Sequence, residues 1–348
     1  GAGLVLTAVN LAAFRRGGDD DPIFRNGTIV YEANGNIRMV DPDGSNDRRV
    51  IGDFNDNIWH TCPRYSPDGR SLAYFEDGRL RLTQVDPSGR PVGSAIRSGA
   101  AVDRFFSCGV RSPDGQQLAV HSWDESGGWR LTLFSLTDGS QVPVADGLTS
   151  DVSVWGPEGT WVAYPVATGI AIYDTADGAA DLIQTKAPPA GLAVSPEGNT
   201  FAYVAEFDDG SSHVFLVDRH TGVEDQLTAG DARRIAPAWS PRSGILAYIE
   251  TCGPRPDPQC TTHIAIDNGG QKTVLPPVEP DGIDAIPRGP LLWSPDGQWI
   301  LYVAIERSSP DGLTTGAPVV AAPLIGAPRV LTTEFGVGST DWQPLPAG

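Results

Sequence analysis

Tyr65-Ser66-Pro67-Asp68-Gly69-Arg70-Ser71-Leu72-Ala73-Tyr74 decides the fold. It reads as the end of one strand, a tight turn at Pro-Asp-Gly, and the start of a second strand. Proline presets φ and cannot sit inside a ladder, aspartate bonds its own backbone, and glycine supplies φ > 0. The pattern returns at Arg111-Ser112-Pro113-Asp114-Gly115, Trp155-Gly156-Pro157-Glu158-Gly159, Val194-Ser195-Pro196-Glu197-Gly198, Trp239-Ser240-Pro241-Arg242-Ser243-Gly244 and Trp293-Ser294-Pro295-Asp296-Gly297. The turn prolines are spaced by 46, 44, 39, 45 and 54 residues. A period of that size in strand-patterned sequence is the mark of propeller blades.

Each turn is followed by an apolar strand, a break and a third strand, such as Arg79–Thr83, Arg130–Phe134, Ile170–Tyr173 and His213–Val217. A weaker fourth strand completes a four-stranded blade. The N-terminal stretches Thr28–Tyr31 and Ile37–Val40 lack an inner strand, and Thr340–Pro344 is an inner strand with nothing after it. Each supplies what the other lacks, so the sequence predicts an all-β, seven-bladed propeller of four-stranded blades in which N- and C-terminal strands share one blade. Six blades is the alternative count.

The Ser-Pro-Asp-Gly turn followed by Leu-Ala-Tyr resembles the TolB-like, or PD40, branch of the WD40-like β-propellers, over roughly residues 26 to 344. The resemblance implies a propeller used for partner binding in the bacterial cell envelope. It does not identify an activity, because one fold hosts many functions.

The 348 residues are accounted for by residues 26–348 as a single propeller and 1–25 as a separate segment. Residues 4–14 are an apolar run followed by Arg15, Arg16 and an Asp-rich stretch. The run is shorter than the ~20 residues a spanning helix needs. It reads either as the truncated end of a membrane anchor or signal peptide with a linker, or as an element packed on the propeller. The first reading puts the propeller outside the cytoplasm, as a periplasmic, secreted or cell-surface domain with an N-terminal tether. The formal net charge of −18 argues against nucleic acid and anionic membrane surfaces as general partners.

Four cysteines are present. Cys252 and Cys260 bracket a seven-residue Pro-rich loop, and Cys62 and Cys108 each lie four residues before a Ser-Pro, at the same point of successive inner strands. Two disulfides, one across the loop and one between blades, are expected for an oxidising compartment; four buried thiols are the alternative. No Cys-x-x-Cys or close histidine pair offers a zinc site, and no metal or other cofactor is expected.

Segments leading into the inner strands should ring the channel mouth, on the face opposite the Ser-Pro-Asp-Gly turns. They carry Trp59, His60, Arg104, Phe105, Phe106, Asp151, Arg233, Arg234 and Arg288. Arginine forks suit carboxylates or phosphates and aromatic faces suit rings or sugars. The expectation is a ligand-binding mouth for a protein or peptide partner, or for a small anionic or glycan ligand; the bland alternative is that the arginines pair with carboxylates of neighbouring loops. The longer insertions on this face are 121–128, 206–212, 250–262 and 306–316.

No Gly-x-Ser-x-Gly elbow and no phosphate-cradling glycine loop is present. No catalytic residue is assigned. The function read from the sequence is a non-catalytic binding or sensing propeller. Its alternatives are a carbohydrate-active lyase or glycosidase, and the sensor domain of a membrane-bound regulatory protein.

Overall fold

The computed structural model describes residues 26–52, 58–102, 106–124, 127–252, 261–277, 285–306, 319–332 and 337–344. They form seven antiparallel four-stranded sheets, and no helix occurs among the described residues. Blade 1 takes its inner strand, Val337–Trp342, from the C-terminal end and its other three, Ile29–Ala33, Asn36–Val40 and Arg48–Ile51, from the N-terminal end. The expected closure is therefore found, with Ile29 opposite Trp342 and Tyr31 opposite Thr340. Gln343 locks it: its Oε1 accepts from Thr28 Oγ1 at 3.1 Å, and its Nε2 donates to Gly69 O at 3.0 Å.

Blades 2 to 7 follow in chain order. Their inner strands are His60–Tyr65, Val110–Arg111, Val154–Trp155, Pro189–Val194, Arg233–Trp239 and Ala285–Trp293. Seven apolar clusters fill the seven interfaces between neighbouring blades, the last joining Leu301 and Trp299 of blade 7 to Ile29 and Trp342 of blade 1. Side chains alternate across a strand, so the Leu-Ala-Tyr motif serves both neighbours at once. Leu72 and Tyr74 pack on blade 1 while Ala73 packs towards blade 3. Leu246 and Tyr248 pack on blade 5 while Ala247 packs towards blade 7. A small residue on one side makes room for the bulky pair arriving from the next blade.

The turn motif has a second role besides its backbone geometry. Ser66 Oγ bonds Asp68 and accepts from Ser71 N at 2.8 Å, and the same pattern recurs at Ser112 and Ser294. Beyond that, turn glycines nest against the preceding blade. A β-carbon on Gly115 would sit 3.0 Å from Pro67 Cδ, one on Gly159 3.5 Å from Pro113 Cδ, and one on Gly198 2.9 Å from Pro157 Cδ. From blade 2 to blade 5 these turns interlock along one face, the proline rings of Pro67, Pro113 and Pro157 filling the space left by the next blade's glycine. Blade 4 carries Gly156 in place of the serine because the Trp161 indole occupies the site of its side chain.

Candidate functional site

The opposite face carries the mouth. Here each inner strand begins and strands 2 and 3 of each blade turn. Cys62 and Cys108 are disulfide-bonded with a Cα–Cα distance of 5.0 Å, stapling the inner strand of blade 2 to the segment entering that of blade 3. Cys62 sits at a bulge with φ 57°, a conformation that L-residues rarely adopt. Cys252 is also disulfide-bonded; Cys260 lies outside the described residues.

The mouth residues expected from the sequence divide into two groups. Trp59 presents its ring to solvent at 61% exposure. Its backbone N donates to Asp77 Oδ1 at 2.9 Å, and its indole lies against Gly35, the glycine of the adjacent blade's turn. Arg233 is exposed and pairs with Glu206 at 3.3 Å, and Asp151 is exposed. The others turn inward. His60 is buried between blades 1 and 2, its Nε2 3.6 Å from Glu76 Oε1, and Arg81 holds that same carboxylate. Phe106 packs on Phe75 in a tilted arrangement, with ring centroids 4.7 Å apart, inside the blade 2–3 cluster.

Arg234 is 5% exposed and saturated. It donates to Glu250 Oε2 at 3.0 Å and to the carbonyls of Ala229 and Ala232, both at 2.8 Å. Glu250 also receives Lys272 Nζ at 2.6 Å, and His263 Nε2 lies 3.3 Å from its Oε1. His263 first, then Lys272 and Arg234, hold this carboxyl at about 2 against the opposing effect of burial. Arg288 lies in the inner strand of blade 7 opposite Val303. Arg104 and Phe105 lie outside the described residues, as does the segment 1–25.

Three features of this side of the molecule escaped the sequence reading. Trp123 and Phe207, 42% and 39% exposed, stand at or beside the turns between strands 2 and 3 of blades 3 and 5. Trp123 meets Trp129 edge-on at 5.4 Å, and Phe207 meets His213 at 5.2 Å. Their signal was an aromatic at the loop end of a second strand. On the inner strands, Arg64 bonds across its neighbours, donating to Gly109 O of blade 3 at 2.9 Å and Thr340 O of blade 1 at 3.1 Å. Asp341 accepts from Tyr65 N at 2.7 Å. Burial lowers the Arg64 pKa against the pull of Asp341 and Glu32, and raises that of Asp341 against the pull of Arg64. The third is Glu32, whose Oε2 accepts from Cys62 N and Ser339 Oγ, both at 3.3 Å. Glu32 did have a signal, a charge inside the otherwise apolar strand Ile29–Ala33, whereas Arg64 and Asp341 sit in strands of mixed character that do not single them out.

The described histidines do not converge. His60 lies between blades 1 and 2, and His121 is buried on the second strand of blade 3, facing blade 4. His213 and His263 lie on blades 5 and 6, and His220 is in a turn on the far face. Among the described residues, the one group of three metal-type donors within 4.8 Å of one another is Glu32, Cys62 and Cys108.

Fold and site together define a closed seven-bladed propeller with a tightly interlocked turn face and an aromatic-rich mouth face. No protein-family model matches the chain. A 112-residue stretch is 31% identical to an uncharacterized peptidase, YuxL, of Bacillus subtilis, covering 31% of this chain and 16% of that protein's length. Among solved structures, TolB from Acinetobacter baumannii superposes with a TM-score of 0.52 at 15% identity, over 92% of this chain and 80% of its own. Oligogalacturonate lyase from Vibrio parahaemolyticus gives 0.60 at 12% identity, over 83% of each chain. An oligogalacturonate lyase in complex with manganese gives 0.58 at 16%, over 83% of each. The resemblance to TolB-like propellers therefore holds at the level of the fold.

Proposed function

We propose that the chain is a non-catalytic recognition propeller acting outside the cytoplasm, and that it takes a protein or peptide partner on its mouth face. The observation that carries this is the set of exposed aromatics, Trp59, Trp123 and Phe207, on blades 2, 3 and 5 of that one face. Aromatic side chains offer large, low-entropy contact area and dominate binding hot spots. The Cys62–Cys108 bridge supports an oxidising compartment. In this reading residues 26–348 are one binding domain and 1–25 its connection to the membrane or to the rest of a longer chain.

Charge favours a protein partner over a small anion. Arg234 is committed to Glu250, and Arg233 shares its guanidinium with Glu206. The carbohydrate-active alternative, with its metal-dependent lyase form, finds no converging histidine set among the described residues.

Photo-crosslinking tests the reading. A photoreactive phenylalanine analogue is placed at Trp59, Trp123 or Phe207, and in parallel at Ser88 and Asp114 on the turn face. Adducts to a defined protein from the mouth positions alone are expected. Equal labelling from the two faces, or none from the mouth, overturns the proposal.

A further inference from the structure

The Sγ atoms of Cys62 and Cys108 and a carboxylate oxygen of Glu32 lie within 4.8 Å of one another. The three donors come from three consecutive blades. Cys62 lies within the inner strand of blade 2, Cys108 precedes that of blade 3, and Glu32 stands on the second strand of blade 1. Glu32 is held in place by two hydrogen bonds, from Cys62 N and Ser339 Oγ, and both fall on Oε2. Among the described residues no hydrogen bond falls on Oε1, which leaves its lone pairs for a cation. Two thiolates and a carboxylate suit a thiophilic divalent cation of the zinc class, which accepts sulfur and oxygen donors tetrahedrally and leaves a fourth position to water when the protein supplies three.

We propose that the reduced chain binds one such cation through Cys62, Cys108 and Glu32. The same strands then have two alternative ties: a disulfide joining blades 2 and 3 when oxidised, and a metal bridge joining blades 1, 2 and 3 when reduced. The chemistry balances. A dithiol reductant gives two electrons and two protons to the Cys62–Cys108 bond, which breaks to two thiols while the reductant closes its own disulfide. The cation then displaces both thiol protons to solvent and binds the two thiolates and the Glu32 carboxylate. A bound cation needs the sulfurs further apart than the disulfide holds them. The irregular stretch of blade 2 between Thr61 and Arg64, where the ladder register shifts, provides the slack.

The experiment uses the full chain with Cys252→Ser and Cys260→Ser, so that Cys62 and Cys108 are the remaining thiols. It is reduced with a dithiol, freed of reductant without oxygen, and titrated with Cd2+ at neutral pH. The expected result is a thiolate-to-cadmium charge-transfer band saturating at one ion per chain. Proton release of about two per ion and a raised Tm should accompany it, and none of these should appear in the oxidised protein. Adding Cys108→Ser should remove the band; adding Glu32→Gln should keep it and weaken binding by about tenfold or more. Near-ultraviolet circular dichroism reports the fold before and after titration. If the reduced chain has lost native tertiary signal, the ion must restore it. Absence of the band, unchanged affinity in Glu32→Gln, equal binding by the oxidised chain, or failure to restore a lost signal would each overturn the site.

Discussion

The Pro157 ring of blade 4 lies 2.9 Å from the point that a β-carbon on Gly198 of blade 5 would occupy. Two demands therefore meet at Gly198: its φ of 75° disfavours any L-residue, and its missing side chain is the socket for the neighbouring proline. Gly222, at φ 67° with open space around it, faces the first demand alone. Gly222→Ala should cost about 1–2 kcal/mol for the left-handed backbone. Gly198→Ala should cost a further ~1–3 kcal/mol, because the added methyl must push two blades apart. Urea unfolding of the two variants measures the difference. Equal losses would mean that the interlocking of the turns contributes nothing.

His121 is 2% exposed, and among the described residues neither of its ring nitrogens has a hydrogen-bond partner. Burial pushes its pKa down from 6.5 to about 4. The unfolded chain therefore takes up the proton first. Stability is full above the unfolded value, falls as pH drops from about 6.5, and stops falling from this source near 4. His121→Leu, which keeps an apolar side chain between blades 3 and 4, should be more acid-resistant. The measurement is Tm against pH, and the loss between pH 6.5 and 4 should be smaller in the variant by up to about 3 kcal/mol. Parallel curves for the two proteins would exclude a neutral buried imidazole.

Trp59 and Phe106 both looked like mouth aromatics in the sequence, yet they should behave oppositely. Trp59→Ala removes a ring that is 61% exposed and should cost less than about 1 kcal/mol, while removing contact area from the proposed binding face. Phe106→Ala removes the ring packed on Phe75 within the blade 2–3 cluster and should cost about 2–3 kcal/mol. Denaturant midpoints separate the two roles without knowledge of the partner. A large loss from Trp59→Ala would remove it from the recognition surface and make it a packing residue.

The contrast shows what was legible in the sequence. The blade count, the closure by Ile29–Ala33 against Val337–Trp342 and the Cys62–Cys108 bridge followed from repeat register, which fixes backbone position. Register also placed Trp59, Phe106, Arg233 and Arg234 near the mouth. It could not say which way each side chain points, because the inner strands carry bulges at Thr61–Arg64, Ile235–Ala238 and Arg288–Leu292 that break simple alternation. The inner-wall charges were missed for a related reason. Arg64 and Asp341 stand on different strands nearly the whole chain apart, and only the closed ring makes them neighbours. The proline sockets were invisible because a glycine's empty space has no sequence signal apart from its φ.

Arg233 and Arg234 give the sharpest test of that lesson, since nothing in composition distinguishes them. Arg233 pairs with Glu206 in the open, where exposed pairs contribute ~0–1 kcal/mol, so Arg233→Ala should leave stability within about 0.5 kcal/mol. Arg234 is buried against Glu250, so Glu250→Gln strands a desolvated guanidinium and should cost about 3 kcal/mol at neutral pH. The acid limb gives an independent check. The Glu250 carboxyl is held at about 2, below its ordinary 4.5, so its contribution is fully present above 4.5 and is lost as pH falls from 4.5 through 2. Glu250→Gln should flatten that limb, whereas Arg233→Ala should leave it as in the parent. A parent-like acid limb in Glu250→Gln would show that the Arg234–Glu250–Lys272 cluster does not hold blade 6 together.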